Sequence, residues 1–144
     1  MVPADAATES VVIPPFNDSG CLPPGLHGAT WAEVEERFGK QSEIRRVQTE
    51  SVRWMVALAI RAGVQRIVLN GSFVTDIMEP NDVDRALLIG HGYPTDAIAD
   101  AELKTGLPFL DIAFARPAEF DEFVGEVFAE DRFGVSKGMI EVIT

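Results

Sequence analysis

Residues 67–89 read IVLNGSFVTDIMEPNDVDRALLI, and their pattern is strand, glycine turn, polar loop, strand. Ile67-Val68-Leu69 is a short apolar run that ends at Asn70, and Gly71-Ser72 turn the chain. A polar loop containing Pro80 follows. Asp82-Val83-Asp84 then open a second apolar run, Ala86 to Ile89. Side chains on a strand alternate between faces, so Asp82 and Asp84 are expected on one face, about 6 to 7 Å apart along the strand. Two neighbouring carboxylates repel and are costly to desolvate. A divalent cation between them relieves that cost, and Mg²⁺ prefers such hard oxygen ligands.

Outward from this stretch, the chain supplies helices on both sides. Before it, Thr30-x-x-Glu33 fits a capping box, and Gly39 ends the helix that Trp31, Val34 and Phe38 make amphipathic. A longer helix is predicted from Ser42 to Ala62, closed by Gly63, with Ile44, Val47, Ser51, Met55, Leu58 and Ala62 as its apolar stripe. Arg45, Arg46, Glu50 and Arg53 lie off that stripe and read as a solvated face, with Arg46 and Glu50 within side-chain reach. After it, Thr95–Lys104 fits a short helix, Phe109–Ala115 a strand, and Pro117 a helix start. Phe120, Phe123, Val124, Val127 and Phe128 give that helix an apolar side. Met139–Ile143 reads as a closing strand.

The first residues are small and polar, and Val11-Val12-Ile13 suit an extended segment or an edge strand. Pro14, Pro15, Pro23 and Pro24 keep the following segment non-helical. The expected organisation is an extended arm over residues 1–26 and one domain over 27–144. The fold class is α/β (α+β): a small mixed β-sheet with helices packed mainly on one face.

The Gly71-Ser72 turn, nine residues and then Asp82-x-Asp84 resemble the signature of the nucleotidyltransferase superfamily, the DNA polymerase β-like fold. Asp111, in Phe109-Leu110-Asp111-Ile112-Ala113-Phe114, sits where that superfamily carries a third carboxylate. The chain is also similar, over residues 22–144, to a group of short bacterial nucleotidyltransferase-like proteins. The motifs are Leu22-Pro23-Pro24-Gly25 before Thr30-Trp31, Asn70 to Thr75, Glu79 to Asp84, and Asp131 to Gly138.

The resemblance implies a site. Gly71 and Ser72 would bind the triphosphate of a nucleoside triphosphate such as ATP; apart from the resemblance, Lys137 is a loop cation that could reach a phosphate or a partner. Asp82, Asp84 and Asp111 would be the catalytic, metal-holding carboxylates for two Mg²⁺ ions. The product would be a nucleoside monophosphate attached to a hydroxyl acceptor supplied in trans, with loss of pyrophosphate. Short members of the superfamily act as the antitoxin of a toxin–antitoxin pair. The alternative is a binding module that keeps the fold and neutralises a partner by contact alone. Arg85 departs from the pattern, since an aliphatic residue is usual there. It points away from the carboxylates, so either that face is open or Arg85 serves an ion pair or an interface.

Composition narrows the partners. The 144 residues carry a net charge of −11, which argues against nucleic acid or an anionic membrane and favours a basic partner protein such as a cognate toxin. The 47% apolar content suffices for one core. A single Cys21 allows no internal disulfide and suits the reducing cytoplasm. No apolar run approaches the length of a membrane span. Asp76, Glu79, His27 and His91 read as solvated residues of loops, and Arg132 as a loop cation.

Overall fold

The computed structural model describes residues 13–81, 83–105, 110–127 and 137–144, without the side chains of 110, 111, 126 and 127. In chain order these residues form β1 (Gly25–Thr30), α1 (Trp31–Phe38), α2 (Glu43–Ala62), β2 (Arg66–Asn70) and a 3-10 turn (Ser72–Val74). There follow β3 (Val83–Leu88), α3 (Ala97–Thr105), β4 (Leu110–Ala115), α4 (Pro117–Glu122), a π turn (Phe123–Val127) and β5 (Gly138–Ile143). The fold is α+β.

Local chemistry explains where the helices begin and end. The Thr30 hydroxyl accepts from the Glu33 N–H, and the Glu33 carboxylate accepts from the Thr30 N–H at 2.8 Å, so α1 opens on a complete capping box. Ser42 caps α2 by accepting from the Arg45 N–H. Gly63 closes α2 in the left-handed region at φ +97°, where an L side chain would be strained. Asp96 accepts from the N–H groups of Ile98 and Ala99 at 3.0 Å each and so starts α3. Pro117 occupies the first turn of α4, where its missing N–H costs nothing.

The five strands form one mixed sheet in the order β1-β5-β2-β3-β4. β1 and β5 are parallel, as are β3 and β4, while β2 runs antiparallel to both β5 and β3. One face carries the main core. Ile67, Leu69, Val83, Leu87, Ile140 and Val142 pack there against α1, α2 and α3 through Val34, Phe38, Val52, Met55, Ala59 and Leu103. The opposite face carries a smaller cluster of Val68, Ala86, Leu88, Ala115 and Met139, covered by Phe120 of α4. Helices therefore lie mainly on one face, as expected from the sequence.

Of the two forms open to the arm, extended packing and an edge strand, the described part takes the first, and two features of α2 differ from expectation. The edge strand beside β5 is β1, a glycine-bearing segment; Ile13 is buried but belongs to no strand, and Val11 and Val12 lie outside the described residues. Ile13 acts in a strap: Arg37 donates to the carbonyls of Ile13 and Pro14, at 3.1 and 2.8 Å, and stacks on Phe16. In α2, the buried face of the first half is Arg45, Gln48, Thr49 and Val52, while Val47 is half exposed. Secondly, Glu50 pairs with Arg53, which also reaches Glu35. Arg53 lies between the two carboxylates and serves both, and Arg46 turns instead toward the Lys40 carbonyl. Phe109, Phe128 and residues 131–136, Arg132 included, lie outside the described residues.

Candidate functional site

The expected site residues gather at one end of the sheet. β2 ends at Asn70, and the chain turns at Gly71 with φ +87° and ψ −171°, a backbone region almost confined to glycine. The antiparallel register pairs Asn70 with Asp84, so β3 starts where β2 finishes. β3 and β4 are parallel and pair Asp84 with Asp111 as Cα partners. β5 is antiparallel to β2, with Leu69 opposite Ile140. Lys137, half-buried and just before β5, therefore lies at the same end of the sheet as Gly71.

Gly71 and Asp84 touch. A Cβ placed on Gly71 would lie 3.1 Å from Oδ2 of Asp84 and 3.4 Å from its Cγ. The absence of a side chain at 71 is what admits the carboxylate against the turn. Strand alternation sets Asp84 on the face of Val68 and Ala86, the one with the smaller covering cluster, and Asp84 is only partly buried. Ser72 lies at the start of the 3-10 turn, and its hydroxyl accepts from the Asn81 N–H at 3.2 Å. That bond draws the far end of the loop back onto the turn. Asp82 and the side chain of Asp111 lie outside the described residues.

The hard carboxylate oxygen of Asp84 fits a divalent cation by its chemistry. Among the described residues there is no group of three or more His, Cys, Asp or Glu that could hold a metal ion. Residues that would complete such a set, Asp82 and Asp111, have no described side chains.

Sequence reasoning missed the residue that shapes the loop. Arg45 is 2% exposed. Its guanidinium donates to the carbonyls of Phe38 (3.0 Å), Phe73 (2.7 Å), Thr75 (2.6 Å) and Ile77 (2.6 and 2.9 Å), with a longer contact to Ser72. Burial pushes its pKa below the usual arginine range, against the attraction of Asp76. Ser42 donates to the Met78 carbonyl, and Gln48 donates to the Pro80 carbonyl at 2.7 Å. The loop thus turns its carbonyls toward α2, and α2 answers with donors. A signal was present: the apolar stripe of Val52, Met55 and Ala59, continued backwards at helical spacing, falls on Gln48 and Arg45 rather than on Ile44 and Val47.

Arg85 is fully buried, so the face it enters is packed, not open. It stands between Leu69 and Ile112 in the register. His27 is half-buried, and its Nε2 is 2.7 Å from the Pro23 carbonyl, so it is held in place and not simply solvated. Asp76 and Glu79 are exposed, as the sequence suggested.

This architecture defines an α+β protein in which a glycine turn and the starts of two parallel, acid-bearing strands meet at one end of a mixed sheet. The chain belongs to a family described as a family of unknown function (DUF6932), whose model matches residues 14–143. No curated protein and no solved structure matches it. No helix among the described residues is long and apolar enough to cross a membrane.

Proposed function

We propose that this protein is a nucleotidyltransferase that moves a nucleoside monophosphate from a nucleoside triphosphate to a hydroxyl acceptor on another molecule. The observation that carries this reading is the contact of Asp84 with the Gly71 turn, at the point where Asp111 is Asp84's partner across β3 and β4. Asp84, with Asp82 and Asp111, would hold Mg²⁺. When bound, the metal supplies charge neutralisation at the phosphates and orientation for in-line attack.

The chain's own contribution is positional. Gly71, without a Cβ, lets the Asp84 carboxylate sit against the turn. Ser72 spends its oxygen on the Asn81 N–H and so fixes the width of the turn. Arg45 locks the carbonyls of the turn inward, toward α2 and away from an anionic ligand. Lys137 adds a cation at the same end of the sheet. In the reaction a bond forms from the acceptor oxygen to the α-phosphorus, and the bond from the α-phosphorus to the oxygen it shares with the β-phosphate breaks. Pyrophosphate leaves, and the hydroxyl proton passes to solvent. A cytoplasmic setting suits the single Cys21, and the charge of −11 suits a basic protein acceptor such as a toxin.

The test is thermal unfolding with each of the four nucleoside triphosphates and Mg²⁺. A ligand that binds only the native state adds about 2.7 kcal/mol at a hundred times its Kd. The expected result is a rise in Tm with at least one nucleotide, dependent on Mg²⁺ and lost in Asp84→Asn. No shift with any nucleotide at millimolar concentration would overturn the reading.

A further inference from the structure

The loop between the glycine turn and β3 shows apolar side chains to solvent. Ile77 is 48% and Met78 55% exposed. They do not sit on a slack loop. Arg45 holds the Ile77 carbonyl through two donors, Ser42 holds the Met78 carbonyl, and Gln48 holds the Pro80 carbonyl. To fold Ile77 inward the chain would have to strip a buried guanidinium of its partners, which is costly. The two side chains are thus presented in a fixed place, and the ordering cost of binding is partly met before any partner arrives. Methionine adds an adaptable apolar contact.

Two exposed carboxylates, Asp76 and Glu79, flank this patch within the loop, and one of them, Asp76, also attracts the buried Arg45. Glu43 follows Ser42, the residue bonded to Met78, and is exposed as well. We propose that Ile77 and Met78, framed by Glu43, Asp76 and Glu79, form the docking surface for a basic protein that carries the acceptor hydroxyl. Charge complementarity selects this occupant. A second copy of a chain of charge −11 and a nucleic acid strand both meet like charge here. The loop leaves the Gly71-Ser72 turn and returns to it through the Asn81–Ser72 bond, at the same end of the sheet as the start of β3. The role of the partner as acceptor rests on nucleotidyl transfer; the docking surface itself does not.

The test uses fluorescence anisotropy on the full chain. The probes are two labelled peptides of equal positive charge, one of Lys, Leu and Ser and one of Lys, Gly and Ser, and a single-stranded RNA of similar length. The proteins are the native chain, Ile77→Ser/Met78→Ser, and Ile98→Ser, which alters an apolar residue 70% exposed on α3. The native chain is expected to bind the Leu-containing peptide about tenfold more tightly than the Gly-containing one. Ile98→Ser should keep that preference and the double variant should lose it. Equal binding of the two peptides, no binding of either, a preference retained in the double variant, its loss in Ile98→Ser, or tighter binding of the RNA would overturn the proposal. Nucleotide·Mg²⁺ thermal shifts on the same samples separate the two readings. Their absence from the native chain sinks nucleotidyl transfer and leaves the peptide result to decide the docking surface.

Discussion

Gly71 and Asp84 are packed so closely that a methyl group on residue 71 would meet the Asp84 carboxylate at 3.1 Å. Gly71→Ala brings two penalties at once: a backbone conformation that L residues avoid, and this crowding. The expected loss of stability is about 1–3 kcal/mol. Chemical unfolding measures it. The Mg²⁺-dependent nucleotide shift should fall together with it, because the displaced group is Asp84. A variant as stable as the native chain would show that the turn relaxes freely.

Arg45 is a load shared among many carbonyls. Arg45→Met keeps the apolar stem but leaves the carbonyls of Phe73, Thr75 and Ile77 without their donors. The expected cost is about 3–5 kcal/mol. Arg45→Lys should recover only part of it, since an ammonium cannot reproduce the planar fork. Urea unfolding of both variants checks the ranking, and equal stability of Lys and Met would contradict it.

Asp96 predicts a pH dependence. The N–H of Ala99 is the main cause that holds its carboxyl below the ordinary value of 3.8, and Arg61 acts in the same direction. A folded-state value below the unfolded one means stability that is fully present above pH 3.8 and is lost as the pH falls through the folded value. Asp96→Asn keeps a capping side chain but no charge. The stability difference between the two proteins should be flat near neutrality and should shrink toward zero in acid. Unfolding curves from pH 7 down to the acid limit of stability supply the comparison, and a difference that grows in acid would refute the assignment.

The second face of the sheet has its own anchor. Phe120 is 1% exposed, and the Arg66 guanidinium lies 5.0 Å from its ring while it grips Glu141 with two bonds of 2.7 and 2.8 Å. Glu141 accordingly raises the Arg66 pKa. Phe120→Ala should cost about 3 kcal/mol or more. Amide exchange should rise first in α4. Exchange that rises uniformly over the whole sheet would show that α4 is not a separable layer.

What could be read in advance was what local chemistry decides. Thr30 with Glu33, Ser42 and Gly63 mark helix ends by their own hydrogen bonds, and β2 with β3 announce themselves by apolar runs around a glycine turn. β1 could not be read that way. Gly25-Leu26-His27-Gly28-Ala29-Thr30 has little strand propensity, and it is extended because β5 offers it a parallel partner. The burial of Arg45 is hidden from the sequence for a related reason. Helical periodicity locates apolar faces, whereas the demand met by Arg45 arises from carbonyls about thirty residues away. Of the candidate site, the closeness of Gly71 to Asp84 was foreseeable from the turn, and the pairing of Asp84 with Asp111 depended on the long-range register of β4.

That register has an evolutionary corollary. β3 and β4 match residue for residue from Val83–Leu110 to Leu88–Ala115. Length changes in the crossover between them would leave this match intact. Deleting or inserting one residue inside β4 would seat Leu110 or Ile112 opposite Asp84 in place of the acid. Descendants of this chain are thus free to vary the connection and bound to keep the strand in phase.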